Sequence, residues 1–209
     1  MVRILVLERE KIFRGGEFTG FISKDQRDLT SIIMNDYFYH ERGDDLEKNK
    51  KIQQIIPYVW FVNPEKKQVF LYLRVLNKSD IEAGTYVEER YLGDYSGGVG
   101  GHADEMPGVT DPIFSTIERE LREEVEMDVY PVPSIVGYIN DDSDEFNSVH
   151  FGVVALAETT EDIKGKSKQG LADGRWYDIE EADKIISEDK AEKWTKHSWP
   201  FVKDYLQKL

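Results

Sequence analysis

Apolar residues change their spacing several times along this chain, and each change marks an element. Residues 2–7 form an apolar run interrupted only by Arg3 and read as a strand, and 18–21 read as a second, shorter one. From 28 to 39 the spacing turns helical, with Leu29, Ile32, Ile33, Asp36 and Tyr37 giving a mixed face. Residues 40–51 are dominated by charge and read as a surface turn with a short helix; Lys48, Lys50 and Lys51 there carry the charge to meet phosphate, although such a run ordinarily faces solvent. Apolar and aromatic residues return in two strands, 55–62 and 68–76, joined by the turn Asn63-Pro64-Glu65-Lys66-Lys67, a hairpin whose second strand ends at Arg74. Two more strands are expected at 134–139 and 149–157. The acidic stretch between them, 140–147, lacks the spacing of a calcium loop and reads as a solvated turn. Trp194, Trp199 and Phe201 in the closing segment suit core or lid contacts better than a stack for a nucleobase.

The strongest periodic signal lies between these halves. Ile113, Ile117, Leu121 and Val125 recur every four residues and make one apolar stripe, so 113–126 reads as a helix. Asp111 stands where an N-cap belongs, and Pro112 suits the first helical position, where an N–H has no partner to lose. Glu120, Glu123 and Glu124 stand at i, i+3 and i+4, so their carboxylates converge beside the stripe. Three such carboxylates repel one another unless a cation joins them, and an all-oxygen donor set suits Mg²⁺ or Mn²⁺ better than zinc. Arg119 is placed to brace a neighbouring carboxylate with its fork of donors. A solvated acidic face is the plain alternative.

Composition narrows the picture. With 40% hydrophobic and 12% aromatic residues the chain has ample material for a core. A net charge of -14 opposes binding to nucleic acid or to an anionic membrane. It does not oppose a small phosphorylated substrate, because a bound cation reverses the local field. Without cysteine there is no disulfide, thiolate metal site or thiol nucleophile. Charges interrupt every apolar run before it reaches spanning length, and a cytoplasmic protein is the expectation. No internal repeat or low-complexity tract is present.

Upstream of the helix lies the glycine-rich turn Gly97-Gly98-Val99-Gly100-Gly101. Gly98-x-Gly100-x-x-Ala103 superficially matches a dinucleotide fingerprint, but neither a buried strand before it nor a helix opening within it is in the sequence. The missing Gly-Lys-Ser/Thr ending also rules out a P-loop.

Arg119-Glu120-Leu121-Arg122-Glu123-Glu124 resembles the core of the Nudix box, which runs glycine, five residues, Glu, seven residues, then Arg-Glu-aliphatic-any-Glu-Glu-any-Gly-aliphatic. Seven residues before Arg119 comes Asp111, acidic but not Glu. Gly101 meets the first glycine only across a lengthened loop, with nine residues (102–110) before Asp111, four more than the pattern. Glu126 stands where the second glycine is expected, and Met127 fills the last apolar place. The resemblance implies an α/β fold, a Nudix-type α/β/α sandwich with a mixed sheet, formed by residues 57–209. Residues 1–56 would be an N-terminal extension packed on or beside it, and a homodimer through that extension is one use left open.

The resemblance also implies a chemistry. Members of the family hydrolyse a diphosphate bond in a nucleoside diphosphate linked to another group. Glu120, Glu123 and Glu124 would hold Mg²⁺ (or Mn²⁺), with the carbonyl of Gly101 completing the shell and Arg119 orienting the carboxylates. Arg74 and Arg90 would contact substrate phosphate, Gly100 would allow close backbone approach, and His102 would be a polar contact. The stretch 174–182 resembles the family's last strand and the start of its last helix. Glu158, at a strand end, and Asp173, in the loop after it, are sources for a further ligand or base. Two other readings follow from the same features. Gly-Gly-His at 100–102 occurs also in isopentenyl diphosphate isomerases of this fold, but those rely on a cysteine that this chain lacks. A catalytically inactive nucleotide-binding or sensor module would explain the altered glycine and the longer loop.

Overall fold

The computed structural model describes residues 2–76, 92–166 and 170–209. The fold is α/β. In chain order its elements are β1 (Arg3–Glu8), α1 (Arg9–Ile12), β2 (Gly20–Ser23), α2 (Thr30–Asp36), β3 (Phe38–Glu41), α3 (Asp44–Glu47), β4 (Ile52–Asn63), β5 (Gln68–Arg74), β6 (Tyr95–Ser96) and β7 (Gly98–Val99). They continue with α4 (Pro112–Glu124), β8 (Val125–Glu126), β9 (Ser134–Asn140), β10 (His150–Glu158), β11 (Lys164–Gly165), β12 (Leu171–Asp178), α5 (Ile179–Ser187) and α6 (Lys193–Lys208). The main sheet runs β12-β5-β4-β10-β9-β2, with β1, β3, β6 and β7 joined to its side. Its register is mixed. β4 pairs antiparallel with β5, β7 and β1. Against β10 it runs parallel, since Gln53 near the start of β4 donates to the Ser148 carbonyl (2.9 Å) and Thr159 after β10 donates to the Val62 carbonyl (3.0 Å).

The chain falls into two compact units. The first contains Met1–Tyr58, Gly100–Glu118 and Ile135–Ala155. Here β1 lies between β3 and the start of β4, with Leu5 opposite Tyr39 and Leu7 opposite Gln53. Ile4, Val6 and Leu46 form a buried cluster with Ile52 against it. Phe13, Phe18, Tyr138 and Phe151 form an aromatic group with ring centroids about 6 Å apart (5.7–6.1 Å). The second unit contains Val59–Val99, Arg119–Ser134 and Leu156–Leu209. Its core includes the stacked pair Trp60 and Trp199 at 6.0 Å, and Phe70 edge-on to Phe61 and Trp176.

Several expectations shift. The strand expected at 18–21 lies at Gly20–Ser23, where it pairs with β9 from Gly20 opposite Asn140 to Ser23 opposite Gly137. The helix expected over 28–39 is only Thr30–Asp36, and Phe38–Glu41 is a strand. At its start the Asp28 carboxylate accepts the Thr30 N–H (2.9 Å) and the Tyr138 hydroxyl accepts the Leu29 N–H (3.1 Å), which fixes a turn before the first helical residue. At its end Phe38, Tyr39 and His40 gain ladder bonds along β1 that a longer helix would forfeit. Asp173 lies not in a loop but at the bulge within β12, between Ala172 and Arg175, at φ 51°. The closing segment is a helix despite Pro200 inside it. Trp194 and Trp199 are buried there, as core contacts should be, and Trp60 Nε1 donates to Ser198 Oγ (2.9 Å). Among the described residues no helix is long and apolar enough to cross a membrane.

Candidate active site

Helix α4 is fixed at both ends. Asp111 Oδ1 accepts the Phe114 N–H at 3.0 Å and its carbonyl accepts the Ser115 N–H at 3.1 Å, so it is the N-cap and Pro112 is the first helical residue. Ile113, Ile117, Leu121 and Val125 are all buried. At the C-terminus Lys166 supplies two donors to carbonyls left open by the helix, its N–H to Glu124 (2.8 Å) and its Nζ to Arg122 (2.6 Å). The helix therefore presents its acidic side from a firmly held frame.

On that side the Arg119 guanidinium lies 2.7 Å from Glu120 Oε1 and donates from Nη1 to Glu123 Oε2 at 3.1 Å. Glu120 is buried to 7% exposure, while the Glu123 side chain is half open at 51%. Arg119 thus holds two of the three carboxylates, one as its neighbour in sequence and one a helical turn on. Glu124 is felt by the buried hydroxyl of Tyr72. That phenol is pushed well above its usual range, chiefly by burial, with Arg74 pulling it down and Glu124 and Glu192 pushing it up. Arg74 and Glu124 are therefore electrostatic neighbours of one buried group. Arg74, at the end of β5, donates to Glu192 Oε2 at 3.1 Å, and Glu192 Oε1 accepts the Ser96 hydroxyl at 2.6 Å.

Gly100, Gly101 and His102 belong to the first unit, so they are placed by their own surroundings. A Cβ at Gly100 would meet the Pro57 carbonyl oxygen at 1.9 Å, and φ there is 157°, so glycine is required by the chain's own backbone. Gly101 is partly buried. His102 Nε2 is 3.0 Å from Gln54 Oε1 and 3.3 Å from His150 Nε2, and His150 Nδ1 is 2.7 Å from the Phe146 carbonyl. Arg90 lies outside the described residues. Of the two further carboxylates, Glu158 accepts the Tyr205 hydroxyl and Asp173 is exposed on its bulge. Sequence reasoning missed Tyr72, Ser96 and Glu192. Glu192 sits in the charged run 188–193, and nothing in that run marks one of its members for burial.

No family model matches the chain. Protein YmaB of Bacillus subtilis (strain 168) is 28% identical over 214 residues, covering 98% of this chain and 97% of that protein. Among solved structures, Tm1382, a candidate Nudix hydrolase, superposes with a TM-score of 0.76 at 26% identity, covering 97% of this chain and 99% of that one. The chain has the Nudix hydrolase fold. A bifunctional NMN adenylyltransferase/ADP ribose pyrophosphatase from Francisella tularensis, complexed with AMP and a Mn ion, matches in fold at a TM-score of 0.50 and 11% identity over 75% of this chain and 42% of that one. The near full-length likeness to Tm1382 supports a hydrolase.

Within the Nudix fold, two of the three departures from the box, Glu126 and the lengthened loop, have a structural reason. Glu126 is extended and paired with Lys164 in the β8–β11 ladder. It is absent from the non-glycine residues at positive φ, which among the described residues are Lys67, Asp173 and Asp189. A chain that leaves the helix straight into a strand has no use for a left-handed residue there. The lengthened loop is stitched to β1: the Ala103 carbonyl accepts the Leu5 N–H and the Arg3 carbonyl accepts the Glu105 N–H, both at 2.7 Å. Arg3 also pairs with the Glu105 carboxylate at 2.6 Å, and the loop turns at Gly108 with φ 78°.

Proposed function

We propose that this chain hydrolyses a diphosphate bond in a nucleoside diphosphate linked to another group, using Mg²⁺ or Mn²⁺ held by Glu120, Glu123 and Glu124. The observation that carries the reading is helix α4: capped, buried along one stripe, and presenting three carboxylates of which Arg119 holds two. The donor set fits a hard cation in kind, since every side chain in it is a carboxylate. As the side chains lie, no three His, Asp or Glu groups among the described residues are gathered tightly enough to hold an ion. The half-exposed Glu123 is the member with room to turn. When bound, the ion would neutralise the diphosphate and activate a water.

The remaining work falls to the chain. Arg119 keeps Glu120 and Glu123 oriented, as outer partners of metal ligands do. Arg74, with Arg90, meets the phosphate charge. One carboxylate accepts the water's proton. Residues 1–56 act as the extension whose first strand buttresses the lengthened loop. The test is phosphate or monophosphate release from a panel of nucleoside diphosphate derivatives, with Mg²⁺ and with EDTA, for wild type and Glu124→Gln. Metal-dependent turnover lost in the variant supports the hydrolase. Tight binding of one compound with no turnover of any would replace it with a binding module.

A further inference from the structure

Glu192 is the N-cap residue of α6, yet its carboxylate makes no capping bond to that helix. It is turned instead toward β5 and β6. Its Oε1 accepts the Ser96 hydroxyl (2.6 Å) and its Oε2 accepts from Arg74 Nη1 (3.1 Å). The helix start has further ties: Glu192 N–H donates to the Tyr95 carbonyl at 3.0 Å, Tyr95 N–H donates to the Lys190 carbonyl at 2.8 Å, and the Gly97 N–H donates to Thr195 Oγ1 at 2.9 Å, whose hydroxyl reaches Glu192 Oε1 at 3.5 Å. A carboxylate with only 6% of its side chain exposed is costly to bury, and here it meets the guanidinium of Arg74, whose side chain is 36% exposed. The carboxylate is thus the buried member of the pair and the guanidinium the more exposed one. The Tyr72 hydroxyl donates to the Gly98 carbonyl at 2.7 Å, a carbonyl that also lies 3.1 Å from the Ser96 hydroxyl.

We infer that Glu192 is a positioning residue for Arg74, holding its guanidinium at the end of β5 so that it meets the anionic part of the substrate. This rests on the hydrolase reading for the identity of that anion. Arg74 has many rotamers, and a fixed buried partner removes the ordering cost from each binding event. A Glu192 that served only packing would instead change stability and leave affinity alone.

The experiment uses the full chain and two readouts: calorimetric binding of inorganic pyrophosphate with Mg²⁺, and KM and kcat on the substrate that wild type turns over fastest. Glu192→Gln should weaken pyrophosphate binding and raise KM by about tenfold, with kcat changed less than about threefold. Arg74→Gln should match it, and the double variant should be no worse than either, because both remove one interaction. Glu192→Asp, which keeps the charge, should recover part of the loss. Equal pyrophosphate affinity in wild type and Glu192→Gln, or fully additive losses in the double variant, would overturn the inference. Should Glu192→Gln not fold, Ser96→Ala, which removes only the hydroxyl on Oε1, carries the test: about a threefold loss supports it and unchanged affinity overturns it. A wild type without turnover defeats the hydrolase reading alone, since the pyrophosphate comparison does not need turnover.

Discussion

In the first unit the buried polar groups Gln53, Gln54, His102 and His150 are amides and imidazoles, while in the second Arg74 meets Glu192 and Arg119 meets Glu120 and Glu123 as charges. The amide group is loosely satisfied. Gln53 Nε2 has the Ser148 carbonyl, but Gln53 Oε1 and Gln54 Nε2 are buried and have no hydrogen-bond partner among the described residues. In the charged group each cation faces a carboxylate: Arg74 faces Glu192, and Arg119 faces Glu120 and Glu123. An unpaired buried dipole costs about 1–3 kcal/mol and a sheet can carry it. An unpaired buried charge costs more, so charges persist inside only as sets. Breaking a member of the charged set should therefore cost more than breaking a member of the amide set.

The largest effect is expected at the chemistry itself. Glu124→Gln should lower turnover by roughly two to three orders of magnitude with the fold intact, read as kcat with saturating Mg²⁺. Next, Arg74→Ala leaves Glu192 buried without its cation and should destabilise by about 2 kcal/mol in urea unfolding, a figure reduced because Arg74 is partly exposed. Adding Glu192→Ala to that variant should restore part of the loss. If the double variant is as unstable as the sum, the matching of charges is not what holds this region.

A pH series tests a buried hydroxyl of the first unit. Tyr138 is buried and its hydroxyl is pushed up to about 12 from 10.0, chiefly by burial. The folded chain therefore holds that proton more tightly than the unfolded chain does. Its contribution is complete below pH 10 and is lost as pH rises toward 12, by about 2 kcal/mol. Unfolding at pH 8, 10 and 11.5 measures the decline, and Tyr138→Phe should flatten part of it. Gln54→Leu, in the amide set, should fall within about 1 kcal/mol of wild type by urea unfolding. Smallest of all, Glu126→Gly should cost under about 1 kcal/mol and leave kcat within about twofold, because the backbone there is extended and glycine only adds freedom to the unfolded chain. A gain in activity would show that the altered box matters after all.

How far the sequence could be read depended on whether the cause was local. The hairpin of β4 and β5 was legible because two apolar runs flank a Pro-containing turn. Helix α4 was legible because its cap, its proline and its four-residue stripe act over one or two turns. Helix α6 was not: Pro200 speaks against a helix, and the interactions that override it, Trp199 on Trp60 and Ser198 under the Trp60 N–H, come from far along the chain. In the glycine turn, the crowding that requires glycine was not legible either: a Cβ at Gly97 would lie 2.2 Å from the Trp60 ring, and one at Gly100 would meet the Pro57 carbonyl, neighbours about forty positions away.

By itself, then, the sequence determined the acidic helix, the order of most strands and the resemblance to the Nudix box, since spacing and capping are written within a few residues. Only the tertiary structure decided which charges are buried and with what. Glu192 is one acid among several in its run, and it becomes the partner of Arg74 because strand and helix bring residues more than a hundred positions apart within 3.1 Å. Burial depends on what the rest of the chain places overhead, and no local pattern carries that information.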